Sequence, residues 1–250
     1  MTPPPAPPPS AGPRKPTAWL GCGCASVVAV AMAVIAAASF ATWRADRRFE
    51  DMRGHSEARR AVAAVLPHAQ PPPGYQPVGA LTMPLGLLSV AILADAVPGG
   101  GRSHVEHAFF YVEMPDWLGR EKAMREVFEG TAEPAGGITQ TEVEFEARET
   151  VGRGRLPAGG AEVLWIARRG TLRIDDARFG LAPEGTPRRE MPGIATMLLF
   201  DCAADRRLRL GLWFAPDPAP DLPAPDADLT HTPADPAALA TFLTHFDLCT

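Results

Sequence analysis

Hydrophobic residues are distributed unevenly along this chain, and one long apolar run stands apart from the rest. Residues 18–43 contain no charged side chain. A helix of that length is about 39 Å long at 1.5 Å per residue, whereas the hydrocarbon core of a bilayer needs only about 20 residues. Trp19 and Trp43 bracket the run, which is where aromatic residues meet the two headgroup layers. We therefore predict one transmembrane helix over residues 18–43, preceded by a disordered proline-rich tail over residues 1–17.

Two other interpretations compete with a retained span. A cleaved signal peptide would use Arg14 and Lys15 as its positive end and residues 39–41 as its cleavage site, but the apolar part of a signal peptide is only about 7–15 residues long. A lipoprotein signal would place its cysteine after the apolar region, whereas Cys22 precedes most of it. We reject the lipoprotein interpretation, favour retention, and leave cleavage open.

Every fourth residue of the span is small. The row consists of Gly21, Ala25, Ala29, Ala33, Ala37 and Ala41. Small residues at this spacing let two membrane helices approach closely. We therefore predict a homodimer through the span, with Ala29, Ala33 and Ala37 as the helix–helix contact; an alanine-rich composition that produces the row by chance is the alternative.

The two flanks of the span give conflicting signals for orientation. The side towards the C-terminus is the more basic, with Arg44, Arg47, Arg48, Arg53, Arg59 and Arg60. The positive-inside rule therefore favours a cytoplasmic domain. A bacterial chain with one span near its N-terminus usually keeps a short tail inside and exports the domain. We expect a single-pass protein of the cell membrane with an extracytoplasmic domain.

Beyond the span, the pattern divides into a juxtamembrane segment, residues 44–74, and a globular domain, residues 75–250. Val62, Val65 and Leu66 lie on one face of a charged helical stretch that ends at Pro67, so this face is predicted to pack on the domain. The sequence PPPGY at residues 71–75 predicts a turn into the domain.

The domain pattern predicts six strands and two helices. The strands are expected at residues 86–95, 104–113, 141–149, 161–169, 194–201 and 206–214. Clean apolar–polar alternation over residues 141–149 is typical of an antiparallel sheet with one solvated face. One helix is predicted from Asp116 to Glu129. The other follows Asp235 as its cap and carries a core stripe of Leu239, Phe242, Leu243 and Phe246. The fold class is α+β, a twisted antiparallel sheet with helices packed on it, preceded by one transmembrane helix.

The amino-acid composition argues against one class of function, nucleic-acid binding, and leaves the others open. The net charge of −5 argues against a nucleic-acid partner, which needs a concentrated basic patch. The few lysines and many arginines are typical of a high-GC bacterial genome. If the domain is exported, Cys202 and Cys249 are candidates for a disulfide; two free thiols are the alternative.

Candidate chemistry is sparse. His104, Glu106 and His107 form a local metal-like cluster, but on a strand His107 would face away from the other two, so we predict no metal site. Glu142, Glu144 and Glu146 are expected to keep a sheet face hydrated. The arginines from Arg168 to Arg209 are candidates for an anion surface that the acidic row would neutralise. No serine lies in a nucleophile elbow and no glycine-rich loop opens a helix, so we predict no catalytic residue and no cofactor.

The element order resembles the PsbP-like α/β/α sandwich of small bacterial envelope proteins, over roughly residues 60–248. The GCGC at the start of the span and the PPPGY turn are similar to features of uncharacterised membrane-anchored bacterial proteins. Neither resemblance carries over a functional residue. The sequence thus favours a non-enzymatic, membrane-anchored envelope domain that works by binding or assembly, in contact with the lipid bilayer and with an unidentified protein partner. A small-molecule or lipid-binding module and a hydrolase with an unrecognised site are the alternatives.

Overall fold

The protein is described here by a computed structural model, which defines residues 55–68, 70–97, 101–116, 119–132, 137–139, 143–202 and 207–249. The chain divides between Arg44 and Ala45, and only the second unit contains described residues. The proline-rich tail, the predicted span and its row of Ala29, Ala33 and Ala37 lie outside them. Within the described part of the chain, no helix combines the length and apolarity needed to cross a membrane.

The described residues form one antiparallel sheet of eight strands. The strands are β1 (Gln76–Thr82), β2 (Ser89–Ala94), β3 (Ala108–Pro115), β4 (Gly137–Thr139), β5 (Val143–Ala158), β6 (Ala161–Ile174), β7 (Arg189–Asp201) and β8 (Arg207–Pro216). Their order across the sheet is β1-β2-β3-β8-β7-β6-β5-β4. The last long strand, β8, therefore lies between β3 and β7 and joins two sequential meanders through its pairing with β3. An antiparallel sheet with few helices confirms the α+β class.

Three helices accompany the sheet in the described residues: α1 (His55–Val65), α2 (Arg120–Glu129) and α3 (Pro236–Leu243). Helices α1 and α3 bury Val62, Leu239 and Phe242 on one face, in a core cluster with Phe109 and Trp165. We call this the α1/α3 face. Helix α2 lies on the opposite face, where Phe128 packs with Leu164 and Leu199. Strand residues alternate between the two faces, so both sides of the central strands are covered.

Helix α3 forms for the reasons that the sequence indicates. The Asp235 side chain accepts a hydrogen bond from the backbone N–H of Ala237 at 2.9 Å, and Pro236 occupies the first turn, where its missing N–H costs nothing. The predicted stripe is fully buried, from Leu239 to Phe246. The rings of Phe242 and Trp213 stack with their centroids 4.3 Å apart.

Helix α1 also follows its prediction. Val62 and Leu66 are completely buried and Val65 is partly buried against the same cluster, so the apolar face packs on the sheet. Residues 44–54 of the predicted juxtamembrane helix lie outside the described residues. The PPPGY turn is present, with the backbone N–H of Tyr75 bonded to the carbonyl of Pro72 at 3.0 Å.

The predictions for the first three strands need correction, and the three-residue strand β4 was not predicted. The edge strand β1 was not predicted, because its Pro77 and Gly79 weaken the strand pattern. Strand β2 begins at Ser89, since residues 84–86 form a short 3-10 turn. Strand β3 begins at Ala108 and not at residue 104, because the preceding residues form a closed loop whose Val105 is inserted into the core.

Strand β5 is much longer than the predicted segment of residues 141–149. It runs to Ala158, and the glycine-rich stretch that was expected to be a loop pairs with β6 across two bulges. Gly152 and Gly154 belong to the strand because the indole of Trp165 lies over them. A Cβ atom at Gly152 would be 2.8 Å from the Trp165 ring. The reversal needs only Gly159 and Gly160, both with positive φ, as a two-residue hairpin turn requires.

We predict that Phe242→Ala destabilises the domain by about 3–5 kcal/mol, because it leaves a cavity among Trp213, Phe109 and Phe246 where close packing was. The measurement is chemical denaturation followed by fluorescence. The matched control is Thr241→Ala, one residue earlier on the exposed side of α3, for which a change below about 1 kcal/mol is expected. Equal effects of the two substitutions would contradict the packing described here.

Candidate functional site

The two cysteines of the domain are joined in a disulfide. Cys202 follows the end of β7 and Cys249 follows α3, and their Cα atoms are 5.4 Å apart. This distance lies within the usual range for a disulfide. Of the two alternatives that the sequence leaves open, the structure contains the pairing. The bond connects the segment after α3 to the sheet beneath it.

A second feature is the closed loop between β2 and β3. Asp95, at its start, accepts hydrogen bonds at Oδ1 from the Glu106 backbone N–H (3.0 Å) and at Oδ2 from Arg102 (2.8 Å). The Nδ1 atom of His107 lies 3.1 Å from the same Oδ2. Burial raises the pKa of the Asp95 carboxyl, but the hydrogen bonds from His107 and Glu106 outweigh it and hold the pKa below its usual value. The carboxylate is therefore kept ionised at the base of the loop.

The backbone of this loop is held from both sides. The Val105 side chain is fully buried, its N–H donates to Asp176 Oδ1 at 3.2 Å, and its carbonyl accepts from Arg189. Arg189 in turn pairs with Asp176 at 3.0 Å. Glu106 and His107 consequently project from an anchored segment, and both come within reach of Asp95. The sequence-based view of this segment as a strand, with His107 facing away from Glu106, was wrong.

A third feature lies at the other end of the same strands, on the α1/α3 face. Glu113 of β3 pairs with Arg207 and with Arg209 of β8, and it accepts a hydrogen bond from the Tyr111 hydroxyl at 3.0 Å. Burial raises the pKa of the Tyr111 phenol, so it stays protonated and donates. Arg207 also donates to the carbonyl of Gly86 at 3.4 Å. The ionic cluster thus contacts the loop that connects β1 to β2.

The β1–β2 loop, residues 83–88, is apolar and exposed. Leu85 is 93% exposed and Leu87 38%, although the sequence placed Leu87 in a buried strand. Leu85 has φ of 63°, a left-handed conformation that costs a non-glycine residue about 1–2 kcal/mol. The loop is closed by a hydrogen bond from Met83 N–H to the Leu88 carbonyl at 2.8 Å. A strained, ordered turn therefore presents a leucine to solvent.

The remaining predicted patches neutralise each other. Arg173 lies 3.2–3.4 Å from Glu144, Glu146 and Glu190. Arg188 pairs with Glu144 as well. Arg173 and Arg188 thus form one network with the acidic row, as the sequence analysis expected for part of the arginine set. Arg169 is buried and paired with Asp217 at 2.6 Å, which fixes the loop after β8 and leaves no anion site there. Glu142 and Arg206 lie outside the described residues.

Sequence reasoning missed two elements of these sites. Asp95 was assigned only as the end of a strand, although an acidic residue directly after a buried strand is a signal for a loop-closing carboxylate. The exposed β1–β2 loop was missed because GLL at residues 86–88 was assigned to the start of a buried apolar strand.

A comparison with known proteins returns no matching family model, no similar curated protein and no similar solved structure.

We expect Cys249→Ser to lower the free energy of unfolding by about 4 kcal/mol, because the disulfide closes a 47-residue separation in the unfolded chain. Urea denaturation of the oxidised protein and of the variant measures the difference. Alkylation without reductant gives the companion result, since Cys202 and Cys249 should not react. Alkylated Cys202 and Cys249 in the unreduced protein, located by peptide mass spectrometry, would contradict the pairing, whereas Cys22 and Cys24 lie outside the domain and can react in either case.

Proposed function

We propose that this protein is a membrane-anchored, extracytoplasmic domain of the cell envelope that acts by binding a partner protein, and that the β1–β2 loop is its binding surface. The observation that carries the proposal is Leu85, which is 93% exposed in a strained conformation. Backbone strain of this kind persists only where the surrounding structure enforces it, and it is concentrated at functional positions.

The surroundings of Leu85 do enforce it. Arg207 contacts the Gly86 carbonyl and is itself held by Glu113, so the loop is ordered before any partner arrives. A preorganised apolar residue loses little conformational entropy on binding. The centre of a protein interface is typically such a residue entering an apolar pocket on the partner.

The disulfide supports the extracytoplasmic location. Disulfides form and persist in oxidising compartments and are rare in the cytosol. Cys202 and Cys249 therefore favour export over the arginine count on the C-terminal flank of the predicted span. That span, residues 18–43, would anchor the domain, and its row of Ala29, Ala33 and Ala37 would bring two copies together in the membrane.

A lipid-binding role for the same loop is the second candidate function. The observation that favours it is the predicted span, which would keep the domain next to a bilayer. Leucines on an exposed turn insert readily into the boundary between headgroups and acyl chains. The two candidates differ in what Leu85 touches, and this difference is measurable.

A photo-reactive amino acid in place of Leu85 should cross-link to one protein partner in intact membranes. Leu222 provides the matched control position. It is 49% exposed and follows β8, at the end of the sheet opposite to the β1–β2 loop. Cross-links to lipid alone would favour the second candidate, and equal labelling from both positions would show that the loop is an ordinary surface.

Leu85→Asn should remove the docking residue without harming the fold. Because asparagine tolerates positive φ better than leucine, we expect stability to be unchanged or raised by up to about 1 kcal/mol. In pull-downs from native membranes, the variant should lose the partner that the wild-type protein retains. Retention of the partner would contradict the proposed surface.

Export is tested separately with a reporter fused after Thr250. An exported domain predicts alkaline phosphatase activity, because that enzyme needs its own disulfides. Fluorescence of a reporter that matures only in the cytoplasm would overturn the orientation while leaving the loop untouched.

A further inference from the structure

We propose that Asp95, Glu106 and His107 form a binding site for a divalent transition-metal ion such as zinc. Each residue offers one donor atom, and the three atoms lie within 4.8 Å of one another. Two carboxylate oxygens and one imidazole nitrogen are a ligand set that zinc accepts. The site lies at the opposite end of the sheet from the β1–β2 loop, so it is independent of the function proposed above.

The spacing suits a metal ion after small movements. With bonds of about 2.0–2.1 Å, neighbouring donors around tetrahedral zinc are about 3.4 Å apart. The His107 Nδ1 and Asp95 Oδ2 atoms are already 3.1 Å apart. Glu106 is the member that must move, and its side chain is 45% exposed, so it has room to rotate inwards.

The donors are positioned by the rest of the loop. Asp95 is almost completely buried, and the Glu106 N–H occupies its Oδ1, which directs Oδ2 towards His107. The backbone N–H of Asp95 also donates to the His107 carbonyl at 3.0 Å. With Val105 fixed in the core, the ligand-bearing segment keeps its place when a metal ion enters or leaves. Supporting contacts of this kind commonly determine metal affinity.

The guanidinium of Arg102 already bridges two of the three proposed ligands. The Arg102 Nη1 atom lies 2.8 Å from Asp95 Oδ2 and 3.3 Å from Glu106 Oε2. The guanidinium therefore marks the position between the two carboxylates where positive charge is stabilised. The Arg102 side chain is 55% exposed, so it can swing into solvent. A metal ion would compete with Arg102 for the two carboxylates. Removing Arg102 should therefore change the affinity of the site for metal.

The experiment is a calorimetric zinc titration of the full-length, untagged chain in detergent. Cys22 and Cys24 are replaced by alanine in every sample, because their thiolates would also bind zinc. We expect one zinc ion per chain, no competition from excess Mg²⁺, and a raised thermal unfolding temperature on binding. Mg²⁺ is excluded because it avoids imidazole ligands.

Four variants identify the ligands. His107→Ala and Glu106→Gln should each weaken zinc binding by about tenfold or more and abolish the thermal shift. Arg102→Ala should tighten binding several-fold, because the competing cation is removed. His104→Ala is the matched control, since His104 is an exposed histidine of the same loop, and it should leave the affinity unchanged.

Three results would overturn the proposal: no saturable zinc binding, equal losses for the His104 and His107 variants, or weaker binding by the Arg102 variant. Equal losses would reveal loose chelation by surface histidines. Because Glu106, His107 and Arg102 are all part-exposed, their substitution leaves the core intact, and circular dichroism confirms folding of each variant.

Discussion

The packing of α3 on the middle of the sheet joins parts of the chain that are far apart in sequence. Phe242 contacts Trp213 of β8, Phe109 of β3 and Tyr75 before β1. Each large side chain removed from water contributes roughly 1.5–3 kcal/mol, and the stacked and edge-on ring pairs add about 0.5–1.5 kcal/mol each. Strands β3 and β8 are also the pair through which the two meanders meet. The same few aromatic rings thus hold both halves of the sheet and the helix that covers them.

The aromatic packing beneath α3 stabilises the middle of the sheet, and the two ends of the sheet have different polar groups. One end holds the Glu113–Arg207 pair and the apolar β1–β2 loop; the other holds Asp95, Glu106 and His107. Both sets use β3 as their support, since Glu113 lies in that strand and His107 immediately precedes it. A rigid strand with a polar group at each end can hold both loops in fixed positions, because functional loops are positioned by the rigid elements that flank them.

The elements that sequence analysis identified well are those whose signals are local. Asp235 and Pro236 define the start of α3, and the buried stripe that follows has helical periodicity whatever it packs against. The alternation of Val143, Phe145 and the polar residues between them likewise gave the two faces of β5. For these residues, the pattern of a few neighbouring positions is enough to predict the secondary structure and which side chains are buried.

The elements that were missed depend on residues distant in sequence. Gly152 and Gly154 look like loop residues until Trp165 is seen to lie over them. His107 looked as though it faced away from Glu106 until the bonds to Asp95 closed the loop, eleven and twelve residues away. Leu87 looked buried because periodicity cannot distinguish an apolar turn from an apolar strand. Candidate functional groups were therefore harder to predict than the core. Each depends on a contact between residues distant in sequence, whereas the core follows from the local pattern of apolar and polar residues.

The proposed orientation of the chain depends on two physical signals that disagree. If residues 18–43 span a membrane, the arginines on the C-terminal flank would act during insertion, and the positive-inside rule applies mainly to short loops near a span, because long domains translocate largely regardless of charge. The disulfide between Cys202 and Cys249 is of a kind that forms and persists in oxidising compartments. Because the predicted domain, residues 75–250, is long, the arginine count is weak evidence for its orientation, and we give the disulfide more weight. The proposed export is the orientation that agrees with a covalent bond between Cys202 and Cys249.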